Sequence, residues 1–315
     1  MKLAMVFPGQ GSQSVGMLKA YAGLPEIEAV RMEAAAVLGN EFLSILDDGP
    51  AEQLNLTVNT QPAMVTAAIA AYRAWRALGG PAPLIVAGHS LGEYSALVAA
   101  GALTLREALP LVRFRAQSMQ AAVPEGQGAM AAILGLDDDA ARAACADAER
   151  GAGPGEAVQA VNFNAPGQVV IAGHKNAVVR AIEGCKARGA KRVLPLPVSA
   201  PFHSSLMQPA ASKLEGYLKD VEIGAPAIPL INNVDVEIES DPERIKSALV
   251  RQAASPVRWV ETIRSMAAQG VTHVLECGPG KVLAGLVKRI EPKLQGIAAA
   301  DRASLEQALA TIKGG

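Results

Sequence analysis

The chain has 315 residues, half of them hydrophobic and 19% charged, and its 29 Lys+Arg against 30 Asp+Glu leave a formal net charge of −1. That length exceeds one ordinary unit of about 100–200 residues and falls short of three, so one large domain or two unequal ones with a sizeable core is expected. The composition excludes intrinsic disorder and collagen-like structure, and balanced charge without a basic block argues against nucleic acid as the ligand.

The N-terminal run Leu3–Phe7 reads as a buried strand that stops at Pro8-Gly9, too short for a signal-peptide core or a membrane span. A loop, Pro8-Gly9-Gln10-Gly11-Ser12-Gln13, follows it. Residues 60–78 carry a helical period closed by Gly79-Gly80-Pro81. The nearly apolar part of that helix, residues 62–72, is well short of the ~18 residues a span requires, so neither a membrane nor any location but the cytoplasm is expected. Residues 84–87 form a short apolar run between Pro83 and Gly88, read as a buried parallel strand, and helix resumes over 91–100. Strand, tight turn and helix in that order mark an α/β sheet with its functional loops at the carboxyl ends of the strands.

The chain changes character after Gly126-Gln127-Gly128. Strands are expected at 129–134, 158–162, 169–172 and 192–196, with helices at 138–149 and 176–188. The order β-α-β-β-α-β is that of a ferredoxin-like split unit. After Pro197 the pattern returns to that of the first part: a helix near 206–218, a strand at 229–232, a helix across 244–253 and a strand at 273–276 before Gly278-Pro279-Gly280. The expected fold is therefore a large α/β-hydrolase-like domain with a parallel sheet, built from residues 1–126 and 198–315, and interrupted by a small ferredoxin-like insertion at 127–197. Cys145, Cys185 and Cys277 are odd in number, form no C-x-x-C and have no His at zinc-ligand spacing. They read as reduced small hydrophobes, with neither a disulfide framework nor a metal site expected.

Gly88-His89-Ser90-Leu91-Gly92 is a G-x-S-x-G nucleophile elbow, in which a sharp strand-to-helix turn lifts a serine hydroxyl out of the sheet. The bare pattern is weak in a chain with 30 glycines, and the context gives it weight. A buried strand precedes it and a helix starts just after Ser90, so the helix N-terminus and the Leu91 N–H point toward an oxyanion formed on a substrate carbonyl. A serine hydroxyl needs a base. Of the four histidines, His89 inside the elbow and His273 inside a strand read as structural, and His174 follows a strand of the middle segment. His203 lies in the loop Val198-Ser199-Ala200-Pro201-Phe202-His203-Ser204-Ser205, where catalytic groups concentrate, but the residues alone leave its role open.

Four motifs taken together resemble the malonyl-CoA:acyl carrier protein transacylase family of fatty acid synthesis: Phe7-Pro8-Gly9-Gln10-Gly11-Ser12-Gln13, Gly88-His89-Ser90-Leu91-Gly92-Glu93-Tyr94, Val112-Arg113-Phe114-Arg115 and Pro201-Phe202-His203-Ser204. Asn59-Thr60-Gln61-Pro62-Ala63, Pro256-Val257-Arg258-Trp259 and Glu276-Cys277-Gly278-Pro279-Gly280 add to the match, which covers nearly the whole chain in order. The length also resembles that of the free-standing bacterial enzymes.

The resemblance implies a ping-pong exchange in which Ser90 takes malonyl from coenzyme A and passes it to the phosphopantetheine thiol of acyl carrier protein, with His203 as base and acid. It further implies that the backbone carbonyl of Gln252 orients the imidazole, that the N–H groups of Gln10 and Leu91 form the oxyanion hole, and that Arg115 holds the malonyl carboxylate with two parallel hydrogen bonds. For an arbitrary Arg, a solvated charge on a helix is the ordinary reading; here the neighbours Leu111, Val112 and Phe114 are apolar. Phe202 stands before the catalytic His as in malonyl-selective members and is expected to exclude an α-methyl group. Gln61 and Asn162 resemble pocket residues of the family and are equally well explained as a helix-cap and a strand-end residue. No cofactor or metal is implied, malonyl-CoA and acyl carrier protein are the implied partners, and a monomer is expected. Three other readings share parts of this pattern: a serine thioesterase, a non-catalytic docking module, and the malonyl transacylase of a malonate decarboxylase system.

Overall fold

The computed structural model describes residues 1–151, 155–198 and 200–314; Ser199, in the loop before His203, lies outside the described residues. In chain order the elements are β1 (Leu3–Phe7), α1 (Pro25–Leu38), α2 (Asn40–Asp48), α3 (Ala51–Leu54), α4 (Thr57–Ala77), β2 (Ile85–Gly88), α5 (Gly92–Ala99) and α6 (Leu105–Gln120). They continue as β3 (Gly128–Leu134), α7 (Asp138–Arg150), β4 (Val158–Ala165), β5 (Gln168–His174), α8 (Lys175–Ala187) and β6 (Arg192–Pro195). The last part holds α9 (Gln208–Leu218), β7 (Leu230–Ile231), α10 (Pro242–Ala253), α11 (Trp259–Ala268), β8 (His273–Cys277), α12 (Val282–Ile290), β9 (Gln295–Ala299) and α13 (Arg302–Gly314).

Five strands form one sheet in the order β7-β2-β1-β8-β9, with every neighbouring pair parallel. β1 and β2 are buried along their whole length, which is why they read as unbroken apolar runs rather than as alternating ones. Side chains of a strand alternate between faces, and β1 divides accordingly. Leu3, Met5 and Phe7 enter the larger core, packed with the helices before α7, whereas Ala4 and Val6 enter a second core with Ile263 of α11 and Leu286 of α12. No helix among the described residues is long and apolar enough to cross a membrane.

The other sheet has the order β4-β5-β3-β6, its neighbours antiparallel, with α7 and α8 sharing a core with one face. Its opposite face carries Met130, Val161, Val170 and Ala172, packed with Leu196, Val198 and Phe202. This sheet is stitched to the rest of the chain by backbone: Phe163 N–H donates to the Val257 carbonyl at 3.0 Å and Val257 N–H to the Val161 carbonyl at 2.8 Å. β4 therefore extends three residues beyond the 158–162 expected from apolar content, because Phe163 to Ala165 gain partners from β5 and, at Phe163, from Val257.

Two further differences from sequence expectation have local causes. The strand expected over 229–232 shrinks to Leu230–Ile231, since the Asn232 N–H donates to the Glu237 carbonyl instead of continuing the ladder. Chain entry into α9 is a 3-10 turn, Ser205–Met207, closed by Met207 N–H donating to the Ser204 carbonyl at 3.0 Å, rather than a continuous helix from 206.

Candidate functional site

The elbow follows from what its glycines must avoid. A Cβ on Gly88 would lie 1.8 Å from the Gly92 carbonyl carbon, and one on Gly92 would lie 2.1 Å from the Phe7 carbonyl oxygen. Only hydrogen fits at either place, so β2 and α5 can meet at the one residue between them that projects. Ser90 is that residue, held at φ 53, a left-handed conformation that a serine adopts only under constraint. The constraint is Asn233, at the carboxyl end of β7: its Oδ1 accepts from Ser90 N–H at 2.7 Å while its Nδ2 donates to the Gly88 carbonyl at 2.6 Å.

His203 is also left-handed, at φ 65, and is buried. Its Nδ1 lies 2.9 Å from the Gln252 carbonyl and its Nε2 lies 2.6 Å from Ser90 Oγ. A carbonyl only accepts, so Nδ1 carries the proton, Nε2 is left with its lone pair, and the Ser90 hydroxyl donates to it. Burial, reinforced by the nearby Arg115 charge and opposed by the Gln252 carbonyl, pushes the His203 pKa down to about 3. The imidazole is therefore neutral throughout the physiological range.

Arg115 projects from α6, whose start is fixed by a capping box between Thr104 and Glu107. The side chain is 2% exposed. Its Nη1 donates to Gln61 Oε1 at 2.9 Å, and its Nη2 donates to Gln252 Oε1 at 3.0 Å and reaches Ser90 Oγ at 3.4 Å. Its Nε is buried without a partner among the described residues. Gln61 is in turn held by its Nε2 donating to Thr57 Oγ1 at 3.2 Å, and Thr57 Oγ1 donates to Gln10 Oε1 at 2.8 Å. The loop after β1 is thus tied to α4 and, through it, to the guanidinium.

Ser90, His203 and Arg115 line a cavity of about 130 Å³ together with Gln10, Asn162 and Phe202, and with apolar walls that include Met119, Met130 and Leu196. Leu91 is buried immediately after the serine, and α5 begins at Gly92, so the Leu91 N–H belongs to the start of that helix. Asn162 lies on β4 with its Oδ1 buried and unpartnered among the described residues. His89 also lines this cavity, but its Nε2 donates to Asn164 Oδ1 at 2.8 Å and its ring packs edge-on against Trp259. His174 Nδ1 accepts from Ala157 N–H, His273 Nδ1 meets Thr272 Oγ1, and the three cysteines are buried and unpaired.

Two residues at the site have no role that the sequence alone announces, although one of them stands inside the elbow motif. Asn233 is one; its position at the end of a parallel strand is the clue. The other is Glu93, 2% exposed in a helix that is otherwise nearly all apolar, where a lone carboxylate is itself the anomaly. Its Oε2 accepts from Asn233 N–H at 3.0 Å and from Gln252 Nε2 at 2.9 Å, and burial pushes its pKa up to about 7.

Comparison with known proteins gives the family of the chain. The acyl transferase domain family matches residues 4–303. Malonyl CoA-acyl carrier protein transacylase of Escherichia coli strain K12 is 53% identical over 309 residues, covering 98% of this chain and 99% of that one. The crystal structure of acyl-carrier-protein S-malonyltransferase from Burkholderia pseudomallei 1710b is 62% identical with a TM-score of 0.95, covering 98% of this chain and 99% of that one. A malonyl-transacylase solved in complex with its type II PKS acyl-carrier protein is 51% identical with a TM-score of 0.95, covering 99% and 100%.

Proposed function

The chain belongs to the acyl transferase family, among the malonyl-CoA:acyl carrier protein transacylases, and from that premise we propose how its own residues move a malonyl group from coenzyme A to acyl carrier protein. Ser90 Oγ attacks the thioester carbonyl as its proton passes to His203 Nε2. The negative oxygen of the tetrahedral adduct is received by the N–H groups of Gln10 and Leu91. Collapse breaks the carbon–sulfur bond, the departing thiolate takes the proton back from His203, and malonyl remains as an ester on Ser90. The phosphopantetheine thiol of the carrier then gives its proton to His203, attacks the ester, and restores the Ser90 hydroxyl.

The Gln252 carbonyl keeps His203 in the tautomer this requires, so no acidic third member is needed. Arg115 binds the malonyl carboxylate with its fork while Gln61 steadies it, Phe202 limits substitution at the α-carbon, and Asn162 offers its free Oδ1 to the bound substrate. We also read residues 127–197 as a ferredoxin-like insertion in an α/β-hydrolase-like domain made of 1–126 and 198–315; the β3-α7-β4-β5-α8-β6 order and the antiparallel order of that sheet support this. The enzyme is proposed to work as a cytoplasmic monomer whose chemistry calls on side chains and backbone alone.

The observation that carries the reading is the 2.6 Å approach of Ser90 Oγ to His203 Nε2 with a buried guanidinium 3.4 Å from the same oxygen. Intact mass after exposure to malonyl-CoA tests it: one malonyl adduct on the parent protein, none on Ser90→Ala, and loss of the adduct when holo acyl carrier protein is added. Acylation that persists in Ser90→Ala refutes the serine's role.

A further inference from the structure

The side-chain amide of Gln252 joins the two halves of the site, and Glu93 decides which way it faces. Nε2 of Gln252 has two protons, and both are spoken for: one goes to the Ser90 carbonyl at 3.0 Å and the other to Glu93 Oε2 at 2.9 Å. Oε1 is left to accept from Arg115 Nη2 at 3.0 Å. With Glu93 ionised, turning the amide over would set its oxygen against a carboxylate and a carbonyl, both acceptors, and at any pH it would set its NH2 against the guanidinium, all donors. One orientation satisfies every partner and the other satisfies none. The two side chains are sealed from water, Gln252 at 0% and Glu93 at 2% exposure, so an unmatched group on either has nothing else to bind.

We propose that Glu93 is a positioning residue for acyl-group selectivity, which locks the Gln252 amide so that Arg115 is presented to the carboxylate of the acyl group. The inference rests on the proposed role of Arg115. It assigns Glu93 no contact with substrate and no part in proton transfer, and it separates the two duties of Gln252: the backbone carbonyl serves His203 and the side chain serves Arg115. The charge helps as well as the geometry, because the buried carboxylate stands near the Arg115 cation and offsets its isolation. Glu93 also accepts from Asn233 N–H, but the two Asn233 side-chain bonds that hold the elbow are independent of that contact.

The test is kcat/KM for malonyl-CoA and for acetyl-CoA, measured on the full chain as Glu93→Leu, Glu93→Gln, Arg115→Ala and the Glu93→Leu/Arg115→Ala pair. Acetyl has no carboxylate for Arg115 to hold, so the malonyl-to-acetyl ratio reads the clamp alone. Glu93→Leu is expected to lower that ratio about 10-fold or more through the malonyl value, with acetyl changing less than about 3-fold. Glu93→Gln retains an oxygen able to accept both N–H groups and is expected to keep the ratio within about 3-fold of the parent. In the Arg115→Ala background, Glu93→Leu should lower the ratio no further.

Equal losses for both substrates, an unchanged ratio in Glu93→Leu, or a further fall without Arg115 would each overturn the proposal. If thermal melting shows that Glu93→Leu does not fold, Glu93→Asp carries the test. It keeps the charge but draws the oxygens back by one methylene, and a ratio equal to the parent's would overturn the proposal. A ratio that survives Arg115→Ala refutes the assigned role of Arg115 itself, whereas a collapse there beside an intact ratio in Glu93→Leu refutes only the role given to Glu93.

Discussion

A neutral histidine is the active form in the proposed chemistry, and the environment of His203 sets how far acid can be tolerated. Its pKa is pushed down to about 3, chiefly by burial and then by Arg115. Protonation, and with it loss of the base, therefore waits until the pH has fallen well below 6.5, the ordinary value for a histidine. We expect kcat/KM for acylation to show no break near that value as the pH is lowered from neutrality to about 5. Removing the neighbouring cation should move the break upward, so a pH profile of Arg115→Ala with acetyl-CoA is the sharper measurement. His203→Ala should cost about 10²–10⁴ in rate; near-parental turnover would move the base elsewhere. At this scale the sequence was informative only where a residue's role is announced by its neighbours. Ser90 sits in a five-residue pattern, and Phe202-His203 and Arg115 fall in short motifs. Glu93 stands in the elbow motif and Asn233 in none, yet neither role is legible there, because both arise from a contact spanning 140 positions.

Between elements, the elbow depends on β2 and α5 approaching closer than any side chain permits. A methyl on Gly92 would meet the Phe7 carbonyl oxygen at 2.1 Å, and backbone cannot yield as a flexible side chain does. Gly92→Ala is expected to cost several kcal/mol of stability, at or beyond the ~1–3 kcal/mol typical of overpacking, and to remove acylation of whatever protein still folds. Denaturant unfolding and adduct mass check the two parts. Strand–turn–helix order around this elbow was legible because β1 and β2 are buried on both faces and so remain apolar throughout. β9 was not, since Gln295–Ala299 holds a single β-branched residue, Ile297, beside two alanines and a glycine; its pairing with β8 comes from tertiary context.

For the molecule as a whole, two buried carboxyl groups make stability depend on pH in an unusual sense. Burial raises both Glu93 and Glu276 from 4.5 to about 7. Between those values the folded chain holds protons that the unfolded chain has released, so the slope runs against the native state and stability should fall as pH rises from about 4.5 to 7. Urea unfolding across that interval should show the decline, a few kcal/mol in all if both groups contribute. Glu276 is not among the residues that line the cavity with Ser90, and its Oε2 accepts from Ala284 N–H at the start of α12. Glu276→Gln should therefore flatten the decline by its share, and an unchanged slope would exclude it as a source.

The backbone seam at Val257 has a consequence for how the site breathes. Asn162 sits between Val161 and Phe163, the two residues through which β4 is bonded to Val257, so the wall that carries it cannot swing outward unless both bonds part. Five residues before Val257 in sequence is Gln252, whose carbonyl holds His203. An excursion of the four-stranded sheet would thus pull on the imidazole as well as on the cavity wall. Deuterium uptake at the amides of Phe163 and Val257 should consequently be as slow as in central β1, and the two should exchange together. The cavity wall beside Ser90 is then expected to hold its place while a long thiol arm enters and leaves.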